Sequence, residues 1–166
     1  MTAGYERLCS SPEETTALGF ALGTLLQGGD FLALSGALGA GKTHLIKGIA
    51  AGLGVPADEP VVSPTFVLVR EYQGRLKLYH LDAYRLASAA ELSALGLDEM
   101  AAEPDAVVAV EWADRVPAAV PQTACRIELE HVAEQVRRVR IAWPATERLA
   151  ALRLSCPPDN ARFTPR

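Results

Sequence analysis

The sequence predicts an α/β fold, and three features carry that prediction. Phe31-Leu32-Ala33-Leu34 is a short apolar run suited to a buried strand; beyond a glycine-rich stretch, Leu45, Ile46, Ile49, Ala50 and Leu53 recur at helical spacing. Val107 to Val110 is continuously apolar and short, as expected of a central strand covered on both faces. In the last third, Ile127 and Leu129 alternate with Glu128 and Glu130, while Val139 and Ile141 alternate with Arg138 and Arg140. That pattern predicts an antiparallel pair with acids facing arginines.

The remaining elements follow in chain order. Ser11-Pro12-Glu13-Glu14 is a capping box with proline at the first helical position, and Leu18, Leu22, Leu25 and Leu26 share a face up to the stop at Gly28-Gly29. The helix after the glycine loop ends at Gly54 and Pro56, and residues 57–60 lead as a polar loop into Val61-Val62-Ser63-Pro64-Thr65-Phe66. Phe66 to Tyr72 and Leu76 to Leu81 read as two strands joined near Gln73-Gly74. Ser88-Ala89-Ala90-Glu91 is a second capping box, with Gly96 as the natural stop of its helix. Pro144 to Leu154 predicts a closing helix; residues 155–166, with three prolines and few apolar side chains, predict a loose tail.

Composition sets the outer limits. A chain of 166 residues, 49% hydrophobic and 22% charged, is expected to form a single domain over 1–154 with one good core. Cys9, Cys125 and Cys156 lie far apart without metal-ligand spacing, which argues against a disulfide scaffold or zinc site and suits a reducing cytoplasm. The sequence shows no export signal or membrane span, so a cytoplasmic location without membrane contact is expected. The net charge of −4 argues against nucleic acid as a directly gripped partner. Arg137, Arg138 and Arg140 form the densest basic cluster, yet their alternation with apolar residues reads as a solvated strand face.

Gly36-Ala37-Leu38-Gly39-Ala40-Gly41-Lys42-Thr43 fits G-x-x-x-x-G-K-[ST], the P-loop pattern. Its glycines permit backbone angles and close approaches that a Cβ would obstruct, so successive N–H groups can turn toward an anion at a helix N-terminus. Lys42 is expected to reach the β- and γ-phosphates, and the Thr43 hydroxyl to help hold a bridging Mg²⁺. A P-loop alone hydrolyses nothing, so acidic partners are required. Asp82 follows the strand run ending at Leu81, and Glu111 follows Val110, each placing a carboxylate at the crevice above an α/β sheet. A solvated or capping role is the plain alternative for either acid taken alone. Pro64 biases Ser63 toward extended backbone, so Ser63 and Thr65 could present hydroxyls to a γ-phosphate as a switch loop, or could simply open a strand.

These motifs together resemble the TsaE family, small P-loop ATPases of bacterial tRNA threonylcarbamoyladenosine biosynthesis. The resemblance rests on the glycine loop, Ser63-Pro64-Thr65-Phe66, Tyr79-His80-Leu81-Asp82-Ala83-Tyr84-Arg85-Leu86, Leu95-Gly96-Leu97-Asp98-Glu99 and Val110-Glu111-Trp112, covering about residues 10 to 116. It implies a three-layer P-loop NTPase fold whose mixed sheet has a parallel core flanked by antiparallel strands. It implies ATP and Mg²⁺ as cofactors and the TsaD and TsaB proteins as partners, with tRNA contact indirect or weak. Residue by residue, the nucleotide positions are Gly36, Ala37, Leu38, Gly39, Ala40, Gly41, Lys42 and Thr43, with Ser63, Thr65 and Trp112 beside them. The metal positions are Thr43, Asp82 and Glu111, and the residues expected to carry catalysis are Lys42, Asp82 and Glu111. Ala37 stands where the family often has Asp, and His44 where a small hydroxyl residue is common. His44 reads as a surface or packing residue, and His80 as structural.

Rival classes fit less well. A small-molecule kinase would share the loop but usually needs an arginine-bearing lid, and no such insertion separates the motifs. Guanine recognition commonly uses N-K-x-D, whereas the only asparagine is Asn160. A nucleotide-gated adaptor with negligible turnover differs from an ATPase only in whether hydrolysis is needed.

Overall fold

The computed structural model describes residues 4–158. The chain runs β1 (Gly4–Cys9), α1 (Pro12–Leu25), β2 (Phe31–Ser35), α2 (Lys42–Gly52), β3 (Val69–Gln73), β4 (Lys77–Asp82), α3 (Ala89–Ala94), α4 (Leu97–Ala102) and β5 (Ala106–Glu111). Two 3-10 turns, Ala113–Arg115 and Pro117–Ala119, lead to β6 (Cys125–His131), β7 (Arg137–Ala142) and α5 (Thr146–Ser155). All seven strands join one sheet in the order β1-β7-β6-β2-β5-β4-β3. Its centre is parallel, with β2 between β6 and β5 and β4 beyond β5. Antiparallel strands flank it, β7 and β1 on one side and β3 on the other. The mixed sheet expected from the sequence is therefore present.

Both capping boxes form. Ser11 is extended and its hydroxyl accepts from Glu14 N–H at 3.2 Å, while Glu14 reaches back to Ser10 N–H at 2.7 Å. Ser88 and Glu91 repeat the arrangement at the start of α3. Each pair satisfies N–H groups that the first helical turn cannot bond internally.

Alternation along the strands divides the interior into two layers. Leu32, Leu34, Val107 and Ala109 face Leu18 and Leu22 of α1, Ile46 and Ile49 of α2, and Leu149 and Leu152 of α5. Phe31, Ala33, Val108 and Val110 face the other way, toward Leu92, Leu97, Ala113 and Val116. β5 is buried on both faces along its whole length, which is why its sequence is a continuous apolar run ending in a single acid.

The helix α2, which carries the glycine loop, is held against α1 by a seam of glycines. A Cβ on Gly19 would lie 2.2 Å from Leu45 O, and one on Gly48 would lie 2.0 Å from Thr16 O. Gly23 and Gly52 are equally confined, against Ile49 O and Phe20 O. The two helix backbones therefore touch, closer than side chains at these positions would allow.

The structure corrects several boundaries. β1 has no counterpart in the sequence reading, because the inward position between buried Tyr5 and Cys9 is taken by Arg7, which breaks the apolar alternation. The strand expected from Phe66 begins only at Val69. Residues 64–68 instead turn, with Leu68 N–H bonded to Pro64 O at 2.7 Å and Leu68 at φ 70°, leaving Phe66 exposed. Gly96, at φ 93°, ends α3 and at once starts α4, which the sequence reading lacks. Of the residues expected to form a tail, Ser155 closes α5, and Cys156 and Pro157 accept from Tyr5 Oη and an Arg7 Nη, respectively. Residues 159–166 lie outside the described part. Among the described residues, no helix is long and apolar enough to cross a membrane.

Candidate functional site

β2 ends at Ser35, and the chain turns through the glycine loop into α2. Gly36, Gly39 and Gly41 have φ of 144°, 78° and 99°, so the loop occupies backbone regions in which a side chain would be strained. Gly36 also packs so closely on β6 that a Cβ would meet Leu129 O at 2.4 Å. Leu38 and Gly39 are exposed at the loop's tip, Ala37 is exposed beside them, and Ala40 is buried beneath it. Thr43 lies in the first turn of α2 and lines a cleft of about 410 Å³ with Gly39, Gly41 and Lys42.

Lys42 is buried, and its ammonium donates to Gly36 O at 2.5 Å and Ala37 O at 3.1 Å while standing 3.9 Å from the centre of the Trp112 ring. Burial lowers the Lys42 pKa from its ordinary value, and the negative charges of Glu111, Asp82 and Asp114 oppose that shift. Trp112 adopts φ 58°, a left-handed conformation rare for a bulky residue and costing on the order of 1–3 kcal/mol. The turn brings its ring to the cleft wall, tilted 50° against the Tyr84 ring with centroids 4.8 Å apart and Arg115 near both rings. Trp112 thus belongs to the cleft rather than to the deep core.

Asp82 and Glu111 come together by strand register. They are paired neighbours at the ends of parallel strands β4 and β5; β5 adjoins β2, which leads into the glycine loop, and β4 lies one strand further out. Both are 3% exposed. The Ser63 hydroxyl lies 3.2 Å from Asp82 Oδ2 and 3.2 Å from Glu111 Oε2, and Thr65 Oγ1 donates to Asp82 Oδ2 at 3.0 Å. The two hydroxyls are themselves 3.1 Å apart, and Tyr72 bonds the backbone of Val62, anchoring the loop to β3. Tyr84 N–H donates to Asp82 Oδ1 at 2.8 Å, and His80 Nε2 lies 2.8 Å from Glu111 Oε2.

Of the candidate site residues, Leu38, Gly39, Ala40, Gly41, Lys42, Thr43, Ser63, Thr65, Asp82, Glu111 and Trp112 line one cleft, with exposed His44 of α2 also in its wall; Gly36 and Ala37 accept from Lys42, and His80 lies behind Glu111. The structure adds Pro12, Thr15, Gln135 and Arg137, contributed by the start of α1 and the β6–β7 loop. No local pattern could reveal them, because they approach the glycine loop only through the long-range sheet order. The Tyr84 contribution was equally hidden, since it is made by a backbone N–H.

The donor set fits a small hard cation. Two buried carboxylates share a crevice with a helix-start hydroxyl, and among the described residues neither carboxylate has a lysine or arginine within ion-pair distance. Oxygen ligands of this kind suit Mg²⁺. A larger groove of about 640 Å³ lies on the opposite face of the sheet, beside β1, β7 and β6, but it has no glycine loop.

Fold and site together define an α/β domain of the P-loop type. Comparison with protein families matches residues 9–139 to "Threonylcarbamoyl adenosine biosynthesis protein TsaE". The chain belongs to the TsaE family. It is 40% identical over 132 residues to the "tRNA threonylcarbamoyladenosine biosynthesis protein TsaE" of Treponema pallidum, covering 80% of this chain and 96% of that one. Its Mycobacterium leprae counterpart is 42% identical over 145 residues, covering 81% and 86%. The crystal structure of Bacillus subtilis YdiB superposes with a TM-score of 0.77 at 31% identity, covering 93% of this chain and 95% of that one.

Proposed function

We propose that this protein binds ATP with Mg²⁺ at the glycine loop and hydrolyses it as an accessory ATPase of tRNA threonylcarbamoyladenosine modification, acting with TsaD and TsaB. The observation that carries the reading is the junction of Asp82 and Glu111, paired in register across β4 and β5 and tied by Ser63 to a loop beside the P-loop. Backbone N–H groups of residues 36–43 cradle the phosphates, and Lys42 exchanges its own loop's carbonyls for phosphate oxygens. Thr43 and Asp82 would hold Mg²⁺, with Glu111 close enough to share the shell; the ion would neutralise charge on the β- and γ-phosphates. Glu111 orients the attacking water and takes its proton. Ser63, within hydrogen-bond distance of both acids, and Thr65, bonded to Asp82, report whether the crevice is filled, so loop position and hydrolysis are linked.

Hydrolysis by this reading resets the protein assembly between modification cycles, while the adenosine chemistry takes place on the partners. The decisive experiment measures Mg²⁺-dependent ATP hydrolysis by the protein alone and with TsaD and TsaB, using Lys42→Ala as control. Stimulation by the partners that the variant abolishes is the expected result. Binding of ATP with no turnover in any mixture would instead favour a nucleotide-gated adaptor, and phosphate transfer to a small metabolite would favour a kinase.

A further inference from the structure

The ring of His80 is fully buried yet lies at the chemical centre of the molecule. His80 and Asp82 are two residues apart on β4 and so share a face of the strand, with His80 paired to Ala109 and Asp82 to Glu111 on β5. Its Nε2 lies 2.8 Å from Glu111 Oε2, while its Nδ1 is buried without any hydrogen-bond partner. The acceptor is a carboxylate oxygen, so Nε2 carries the proton and donates. Nδ1 has no acceptor within reach, so the ring's one hydrogen bond to the protein is made through Nε2.

Glu111 Oε2 thus receives His80 Nε2–H and lies 3.2 Å from the Ser63 hydroxyl, whose single proton serves either this oxygen or Asp82 Oδ2, whereas no protein group donates to Oε1 among the described residues. One oxygen is pinned and the other remains available. Ser63 belongs to a loop that turns before β3 and is only half-buried, but His80 belongs to a buried strand of the parallel core. Of the two donors, His80 is the fixed one.

We propose that His80 is a positioning residue for hydrolysis: its Nε2–H holds Glu111 Oε2 against β4, so that Oε1 remains the oxygen that accepts from the attacking water whichever position the Ser63 loop takes. This rests on the hydrolytic reading of Glu111 given above. A carboxylate that must orient water within hydrogen-bond reach loses rate when it can rotate, even though its own chemistry is intact.

The test has a spectroscopic arm and a kinetic arm. In the native protein with ¹⁵N-labelled histidine, long-range ¹H–¹⁵N correlation is expected to show His80 protonated on Nε2. A ring with the proton on Nδ1 and none on Nε2 would overturn the proposal without any variant having to fold. Kinetically, His80→Leu is expected to lower single-turnover ATP hydrolysis about 10–100-fold with the ATP Kd unchanged within about twofold, as for loss of an outer positioning partner. His80→Gln, whose Nε2 can donate from nearly the same place, is expected to recover most of that rate. Equal losses in both variants, wild-type turnover in His80→Leu, or a parallel loss of ATP affinity would each show that the ring only fills space. If His80→Leu does not fold, the tautomer and the rate of His80→Gln decide. Glu111→Gln separates the two levels: wild-type hydrolysis in that variant would sink the role of Glu111 and the proposal with it. Loss of hydrolysis there beside a normal His80→Leu would sink the proposal alone.

Discussion

Carboxylates at the two sides of this sheet live under opposite rules. On the antiparallel flank, Glu6, Glu128 and Glu130 have side chains 55%, 59% and 47% exposed, and each lies within ion-pair distance of Arg138 or Arg140. In the parallel core, Asp82 and Glu111 are 3% exposed and meet hydroxyls, a histidine and a backbone N–H. The flank neutralises its charges in water, where each pair contributes about 0–1 kcal/mol and is interchangeable with others. The crevice buries its two acids without an ion-paired lysine or arginine, the Lys42 ammonium of the same cleft being bonded to loop carbonyls instead, so a bound cation would offset their desolvation. Acids close together are thus a solvated decoration in one region and, on the proposed reading, a binding determinant in the other.

The largest expected effect comes from exchanging one crevice acid. Asp82→Asn should raise the Mg²⁺ concentration for half-maximal ATP hydrolysis by at least about tenfold, the lower edge of what losing even an outer-shell metal partner costs. The same variant should melt at an equal or higher temperature, because a buried charge is removed. A Mg²⁺ titration with a parallel melting curve tests both halves, and a variant that loses stability while keeping its Mg²⁺ response would break the comparison.

Next in size is the seam beneath the crevice. Gly48→Ala must displace backbone, since the new Cβ would lie 2.0 Å from Thr16 O and 2.8 Å from Phe20 N. Overpacking of this kind costs roughly 1–3 kcal/mol. Chemical denaturation should register that loss, and nucleotide affinity should fall with it because α2 carries the glycine loop.

The smallest effect belongs to the flank. Arg140→Ala should cost less than about 1 kcal/mol, shrink further at high salt, and leave ATP turnover untouched. Denaturation at two ionic strengths checks it. A loss of turnover would show that the charged ladder takes part in function.

Much of this was legible from local pattern. The glycine loop between Leu34 and Leu45, the two serine-glutamate caps, and the apolar run ending at Glu111 are each specified within a few residues, because capping, turn geometry and burial on both faces are short-range demands. β1 was not legible, because its inward Arg7 is tolerated only where Tyr5, Cys156 and Pro157 surround it, a condition set by residues some 150 positions away. The turn at residues 64–68 was read as strand because Phe66-Val67-Leu68 is apolar in isolation. There the hydroxyl contacts of Ser63 and Thr65 with Asp82 and Glu111 prevail over β propensity.

By itself, the sequence determined the α/β alternation, the anion-cradling loop and which acids end which strands, since each is encoded in residue type and spacing along one segment. Only the tertiary structure decided that Asp82 and Glu111 stand in register, that His80 reaches Glu111 with one nitrogen and nothing with the other, and that Trp112 turns to the cleft. Those facts depend on strand order and on backbone conformations that neighbours impose, and strand order is settled by the burial of the whole sheet at once.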